Sequence, residues 1–177
     1  VANIKQQQLL DNWQERHNQI STLASNLSNS YDGLDTNALL SSSNYDRPIF
    51  ENFIATFGYR ELKLVLPDGT VMFSLRRGDD YQNNLGSQAL RNTPLAQLVK
   101  QSAEQRQILI SDLLYNELSQ APTQYLAAPI GSGDELQMTL VLELPIAPLN
   151  AVMQTRQGLG EQGETYLVGS DSRLRSD

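Results

Sequence analysis

The sequence has no cysteine and a single histidine among its 177 residues. Without cysteine there is no disulfide, no thiolate metal site and no cysteine nucleophile. The compartment stays open, because many periplasmic domains also lack cysteine. The lone histidine, His17, removes most serine-triad and polyhistidine-metal chemistry. Basic residues are scarce too: 13 Lys and Arg stand against 20 Asp and Glu, for a net charge of −7. Phosphate binding needs clustered cations. The adjacent pair Arg76-Arg77 is followed closely by Asp79-Asp80, which argues against a nucleic-acid partner. No Gly-x-Ser-x-Gly elbow and no metal-ligand spacing occur, so no catalytic or metal-binding residue and no cofactor is assigned. No apolar run approaches the roughly 20 residues that span a bilayer, and no signal peptide is visible. Val1 and the two abrupt ends read as a piece cut from a longer protein, so a missing anchor says little about the parent.

What is present is ordinary globular material. Hydrophobic residues make up 40% and charged residues 19%, enough for one cored domain plus an appendage. Residues 1–29 read as one helix. Leu10, Trp13, His17, Ile20, Ala24 and Leu27 recur at alternating spacings of three and four, with Leu23 beside them. That is a narrow apolar stripe on a polar helix, as in a coiled-coil seam. It predicts packing against a twin helix at one end and the domain at the other. The alternative is an amphipathic helix docked on its own domain, and His17 reads as a partly buried spacer. The Ser-, Asn-, Asp- and Gly-rich stretch 28–43 reads as a loop with a helical turn or two.

Beyond it, Ile49, Phe50, Phe53, Ile54 and Phe57 follow Pro48 at helical spacing, predicting a short helix over 47–57. Leu62, Leu64 and Leu66 alternate, Pro67-Asp68-Gly69 turns, and 70–75 returns as a hairpin. After a polar loop over 76–87, Pro94 opens a helix to about residue 105. Strands are expected at 107–116, 123–130 and 135–144, the last two joined tightly through Gly131-Ser132-Gly133-Asp134. A helix at 148–154, a Gly-rich hinge at 158–163 and the start of another hairpin close the chain. The expected fold class is α+β: a long N-terminal helix plus a PAS-like five-stranded antiparallel sheet flanked by helices.

Several of these stretches resemble a known family. The run Phe57-Gly58-Tyr59-Arg60-Glu61-Leu62-Lys63-Leu64-Val65-Leu66-Pro67-Asp68-Gly69 is similar to the opening hairpin of Cache (PDC-type) extracellular sensor domains. Gly78-Asp79-Asp80-Tyr81, Ser111-Asp112-Leu113, Tyr125-Leu126-Ala127-Ala128-Pro129-Ile130 and Leu144-Pro145-Ile146-Ala147-Pro148 fit the same order. The run Gly158-Leu159-Gly160-Glu161-Gln162-Gly163-Glu164-Thr165-Tyr166-Leu167-Val168-Gly169 resembles the segment joining the two modules of double-Cache sensors.

The resemblance implies three parts: a stalk helix and connecting loop over 1–44, a ligand-sensing module over 45–156, and the hinge and first strands of a truncated second module over 157–177. It also implies a periplasmic domain of an inner-membrane signalling receptor, most often a chemotaxis protein, paired as a homodimer through the N-terminal helix. A histidine kinase or diguanylate cyclase is the alternative parent. A structural dimerisation module without a ligand and an enzyme using Asp112 are the rival readings.

In such domains a small ligand (amino acid, carboxylate or amine) binds between the sheet and the loops over one face. Asp112, Tyr115 and Tyr125 are the candidates on the central strands, with Asp112 taking an ammonium group and the tyrosines forming a wall. Arg76 and Arg77 are candidates to clamp a carboxylate, and Tyr81 to close the pocket. Asp79 and Asp80 are expected to pair with those arginines or to cap a turn.

Overall fold

The computed structural model describes residues 2–116 and 121–144. Its first element, α1 (Ala2–Ser30), is a 29-residue helix. The apolar stripe predicted along it divides. Ile20, Leu23, Ala24 and Leu27 are buried against the chain's own sheet, as is Tyr31 just beyond, whereas Ile4 and Leu10 remain 53% and 51% exposed. Trp13 is partly buried against the same core, so domain docking accounts for the stripe from Trp13 onward.

The stretch expected as a loop is largely helical. α1 runs on to Ser30, and α2 (Thr36–Tyr45) adds ten residues. Ser and Asn are poor helix formers because their side chains compete for backbone groups. Here the Asp35 carboxylate caps α2 by accepting the Ala38 N–H at 2.8 Å, and Leu39 buries in the core. Cap and burial override composition. α3 (Arg47–Phe57) carries Pro48 in its first turn as predicted and stops at Gly58, whose φ of 75° few residues with a side chain adopt.

The hairpin of β1 (Glu61–Val65) and β2 (Val71–Ser74) forms as expected. Gly69 takes φ 93° in its turn, and the Asp68 carboxylate accepts the Thr70 N–H at 2.9 Å. α4 (Pro94–Gln105) is capped by Thr93. The remaining strands are β3 (Leu109–Ile110), β4 (Leu114–Asn116), β5 (Ala121–Thr123), β6 (Tyr125–Ile130) and β7 (Met138–Glu143). An antiparallel five-stranded sheet runs in the order β2-β1-β7-β6-β3, and β4 pairs with β5 in a separate ribbon. The fold is α+β with a long N-terminal helix, as the pattern implied.

The strand expected at 107–116 breaks in two, whereas that expected at 123–130 forms as β6 from Tyr125, with Thr123 ending β5. The Ser111 hydroxyl accepts the Tyr125 N–H at 2.9 Å, the Gln124 amide donates to the Ser111 carbonyl at 3.0 Å, and Asp112 accepts the Leu113 N–H at 2.9 Å. Side chains thus take backbone groups that a continuing ladder would use. Strand β7 starts at Met138 rather than 135, because residues 131–137 form a longer turn than the tight one expected. The predicted helix at 148–154, the hinge, the final hairpin and the boundary at 156 lie outside the described residues. No helix among the described residues is long and apolar enough to cross a membrane.

Both faces of the sheet are covered. Leu62, Leu64, Leu126, Leu140 and Leu142 point toward α1, α2 and α3, and all are fully buried; each contributes about 1.5–3 kcal/mol of transfer free energy. Val65, Val141, Ala127 and Tyr125 face the other way, toward Leu95, Leu98 and Val99 of α4. Alternation placed Leu62 and Leu64 correctly. It gave no sign that the opposite face of β1, which begins Glu61, Lys63, would be buried as well.

Candidate functional site

That second face holds a charged island inside the protein. Glu61 is 4% and Lys63 7% exposed, and Ser74 is fully buried. Register puts Glu143 of β7 between Glu61 of β1 and Tyr125 of β6. Burying charge is costly unless each charge finds partners, so the contacts of each group matter. The Glu61 carboxylate accepts the Ser74 hydroxyl at 3.1 Å, the Leu62 N–H at 2.8 Å and the Arg76 N–H at 3.2 Å. The Lys63 ammonium pairs with Oδ2 of Asp80, with the two side chains 9% and 15% exposed. The other Asp80 oxygen, Oδ1, is buried and has no hydrogen-bond partner. Burial raises the Glu143 carboxyl above the ordinary carboxylate range. Arg60, Lys63 and Arg76 pull it back down, and Glu61 adds to the rise.

The loop 76–87 closes over this island. It is laced to β2 by the Val71 N–H donating to Asn83 at 2.9 Å and the Gln82 N–H donating to Val71 at 3.0 Å. Asp80 anchors it from above. Two of its non-glycine residues, Arg77 (φ 50°) and Gln82 (φ 64°), sit in the left-handed region, a local strain that surrounding contacts must hold.

The predicted residues fall as follows. Tyr125 is 8% exposed on this face, in register with Glu143. Arg77 lies over the Tyr81 ring at 5.9 Å, which brings together two of the loop candidates. Arg76 gives its backbone N–H to Glu61 while its side chain is exposed, so the two arginines have separate engagements. Asp80 pairs with Lys63 and not with the arginines, contrary to expectation, because Lys63 projects from the covered face of β1 straight beneath the loop. Asp112 is partly buried in the link from β3 to β4. Tyr115 lies on β4 opposite Pro122, and its side chain is outside the description. Sequence reasoning missed Glu61, Lys63, Asp80 and Glu143. A charged residue alternating with leucine reads as solvent-facing, and only the covering loop makes it otherwise.

At the other end of the same face a cleft of about 600 Å³ opens between α4 and the β1–β2 turn, and none of the six predicted residues lines it. The island has the chemistry but is closed by its loop, whereas the cleft is open and holds none of the predicted residues. We therefore place the primary candidate site at the island. Among the described residues no group of three or more His, Cys, Asp and Glu could hold a metal ion.

No family model matches the chain, and no curated protein matches it. Solved structures do. The isoleucine-bound sensory domain of the Campylobacter jejuni chemoreceptor Tlp3 is 13% identical with a TM-score of 0.70, covering 98% of this chain and 66% of that one. The ligand-binding domain of the Pseudomonas aeruginosa amino acid chemoreceptor PctC, in complex with GABA, is 13% identical with a TM-score of 0.67, covering 99% and 70%. That of the Pseudomonas fluorescens chemoreceptor CtaA, with L-isoleucine, is 12% identical with a TM-score of 0.66, covering 99% and 64%. The chain thus spans about two thirds of the Tlp3 domain's length. At such identities the likeness establishes the fold, which is that of chemoreceptor sensory domains.

Proposed function

We propose that this chain is the extracytoplasmic small-molecule-sensing part of a bacterial transmembrane receptor of the chemotaxis type, with a double-Cache arrangement of which residues 45–156 are the sensing module. The observation that carries the reading is the buried charged island under loop 76–87. A sheet face that existed only for packing would be apolar, as the opposite face is. The Lys63–Asp80 ion pair and the unpartnered Asp80 Oδ1 under a strained loop are instead what a ligand-gated closure needs. The ligand is an amino acid or amine whose ammonium group meets Asp80 and Glu143, with Tyr125 and Tyr81 as walls and Asp112 at the edge. Arg77 serves a carboxylate where the ligand has one. The role is binding, not catalysis. The parent is anchored in the inner membrane, and the exposed first half of α1 pairs with that of a second copy.

A thermal-shift panel of amino acids, amines and carboxylates tests the site. A ligand at a hundred times its Kd stabilises by about 2.7 kcal/mol, a shift of several degrees. Asp80→Asn and Asp112→Ala should each remove the response. A flat panel overturns the sensing reading; a response that survives both substitutions relocates the site. Weak dimers that Leu10→Asp abolishes in sedimentation equilibrium are expected, and a strict monomer at millimolar concentration contradicts the α1 pairing.

A further inference from the structure

Lys63 and Asp80 are ion-paired but differ in how freely each can move. Lys63 stands on β1 opposite Ser74 of β2 and Val141 of β7, so its backbone is held between two neighbouring strands. Asp80 stands on loop 76–87 between Arg77 and Gln82, whose left-handed backbone (φ 50° and 64°) marks them as hinges. The segment between these hinges is tied back by Asn83. The Asn83 side-chain amide donates to the Asp79 carbonyl at 2.7 Å, and its N–H donates to the Asp80 carbonyl at 3.1 Å. Residues 78–81 can therefore swing out and take Asp80 with them, whereas Lys63 cannot leave the sheet.

This asymmetry decides which ligand can part the pair. The Lys63 side chain is 9% exposed. The Glu61 carboxylate, two residues away on the same face, is already engaged by the Ser74 hydroxyl and by the Leu62 and Arg76 N–H groups. An ammonium only donates, so a Lys63 that has lost Asp80 needs another anion under the loop. Asp80 has an exit: when its segment swings out, water solvates the carboxylate. Its Oδ1, buried without a hydrogen-bond partner, gains one on leaving. A simple amine that draws Asp80 away strands Lys63. A carboxylate that takes Lys63 releases Asp80, and a molecule carrying both groups pairs both charges again.

Resting on the reading of the island as the ligand site, we propose that Lys63 is its primary carboxylate receptor, ahead of the exposed Arg77, and that Asp80 is a built-in competitor which the ligand's carboxylate displaces. Residues 78–81 swing out as it does so, and the displaced Asp80 takes the ligand's ammonium. The ligand class narrows from amines and amino acids to molecules that carry a carboxylate. Calorimetric titration of the whole chain with alanine, norvaline and phenylalanine tests this, each beside its decarboxylated form (ethylamine, butylamine, phenethylamine) and its deaminated form (propionate, pentanoate, 3-phenylpropionate). At least one amino acid should bind, with its amine about thirtyfold or more weaker because Lys63 is left unpaired, and its deaminated acid in between. Lys63→Met should abolish binding of the amino acid and the acid alike. The double variant Lys63→Met with Asp80→Leu, which keeps the fold by removing both charges, should not bind either. At saturation, hydrogen exchange of the Asn83 amide should rise about tenfold or more as it loses the Asp80 carbonyl. The Val71 amide, which donates to Asn83 beyond the hinge, should keep its rate. The proposal is overturned if none of these compounds binds, if an amine binds as well as its amino acid, if either Lys63 variant retains binding, or if Asn83 exchange is unchanged at saturation. Binding by amines alone sinks this proposal and leaves the sensing reading standing, whereas a flat response across the broader thermal-shift panel sinks both.

Discussion

Replacing Lys63 by methionine keeps the length of the side chain and removes its charge. Asp80 then loses its partner, and its Oδ1 has none to begin with. Both side chains are largely buried, at 9% and 15% exposure. Breaking a buried pair by removing one member costs about 3–5 kcal/mol. Loop 76–87 offers an escape here, since it can lift and return Asp80 to water, which caps the loss at the cost of releasing the loop. We expect about 2–4 kcal/mol, or a fall in Tm of about 5–15 °C at about 2–4 °C per kcal/mol for a chain of this size. Urea unfolding followed by circular dichroism, at constant m, measures it directly. The double variant Lys63→Met with Asp80→Leu should recover most of the loss, because replacing both partners by apolar groups is close to neutral. A single-variant cost below about 0.5 kcal/mol with no coupling in the cycle would put the pair in the class of exposed surface bridges. The buried island, and the site built on it, would then fall.

Two further outcomes follow from the same geometry. The folded chain holds a proton on Glu143 more tightly than the unfolded chain, because burial raises that carboxyl. Its contribution to stability is present below the ordinary carboxylate range and is lost as pH rises through the raised value. Glu143→Gln should therefore stabilise the protein at neutral pH and not at pH 4, read as unfolding midpoints across that range; equal midpoint shifts at both ends would refute it. Gly131→Ala should cost about 2 kcal/mol or more, since a Cβ there overlaps the Glu135 carbonyl oxygen in the turn that also receives Ser28 of α1. An unchanged urea midpoint would show that this turn yields freely.

Short-range chemistry made much of the fold legible. Pro48, Gly69 and Pro94 marked ends of elements correctly, because each acts through its own backbone geometry. The Leu62–Leu64 alternation found the core face of β1. Errors came where side chains at a distance intervened. The Asp35 cap and Leu39 burial turned an expected loop into α2. Hydrogen bonds of Ser111 with Gln124 and Tyr125, 13 and 14 residues away in the chain, mark the break in the strand expected at 107–116. Around the candidate site, the sequence placed Arg77 and Tyr81 in one loop and Tyr125 on a strand, but Lys63 with Asp80 joins residues 17 apart across a covering loop.

By itself, the sequence determined the helical and extended periodicities, the turns, and the poverty in cysteine, histidine and basic residues that argues against thiolate, triad and nucleic-acid chemistry. Those features depend on residue type and on neighbours within a turn or two. Which face of each element meets which other was decided by the tertiary structure alone. Burial is a property of what covers a residue, and no local pattern states that Glu61 and Lys63 will lie under loop 76–87, or that the α1 stripe will dock on its own domain from Trp13 onward while Leu10 stays exposed.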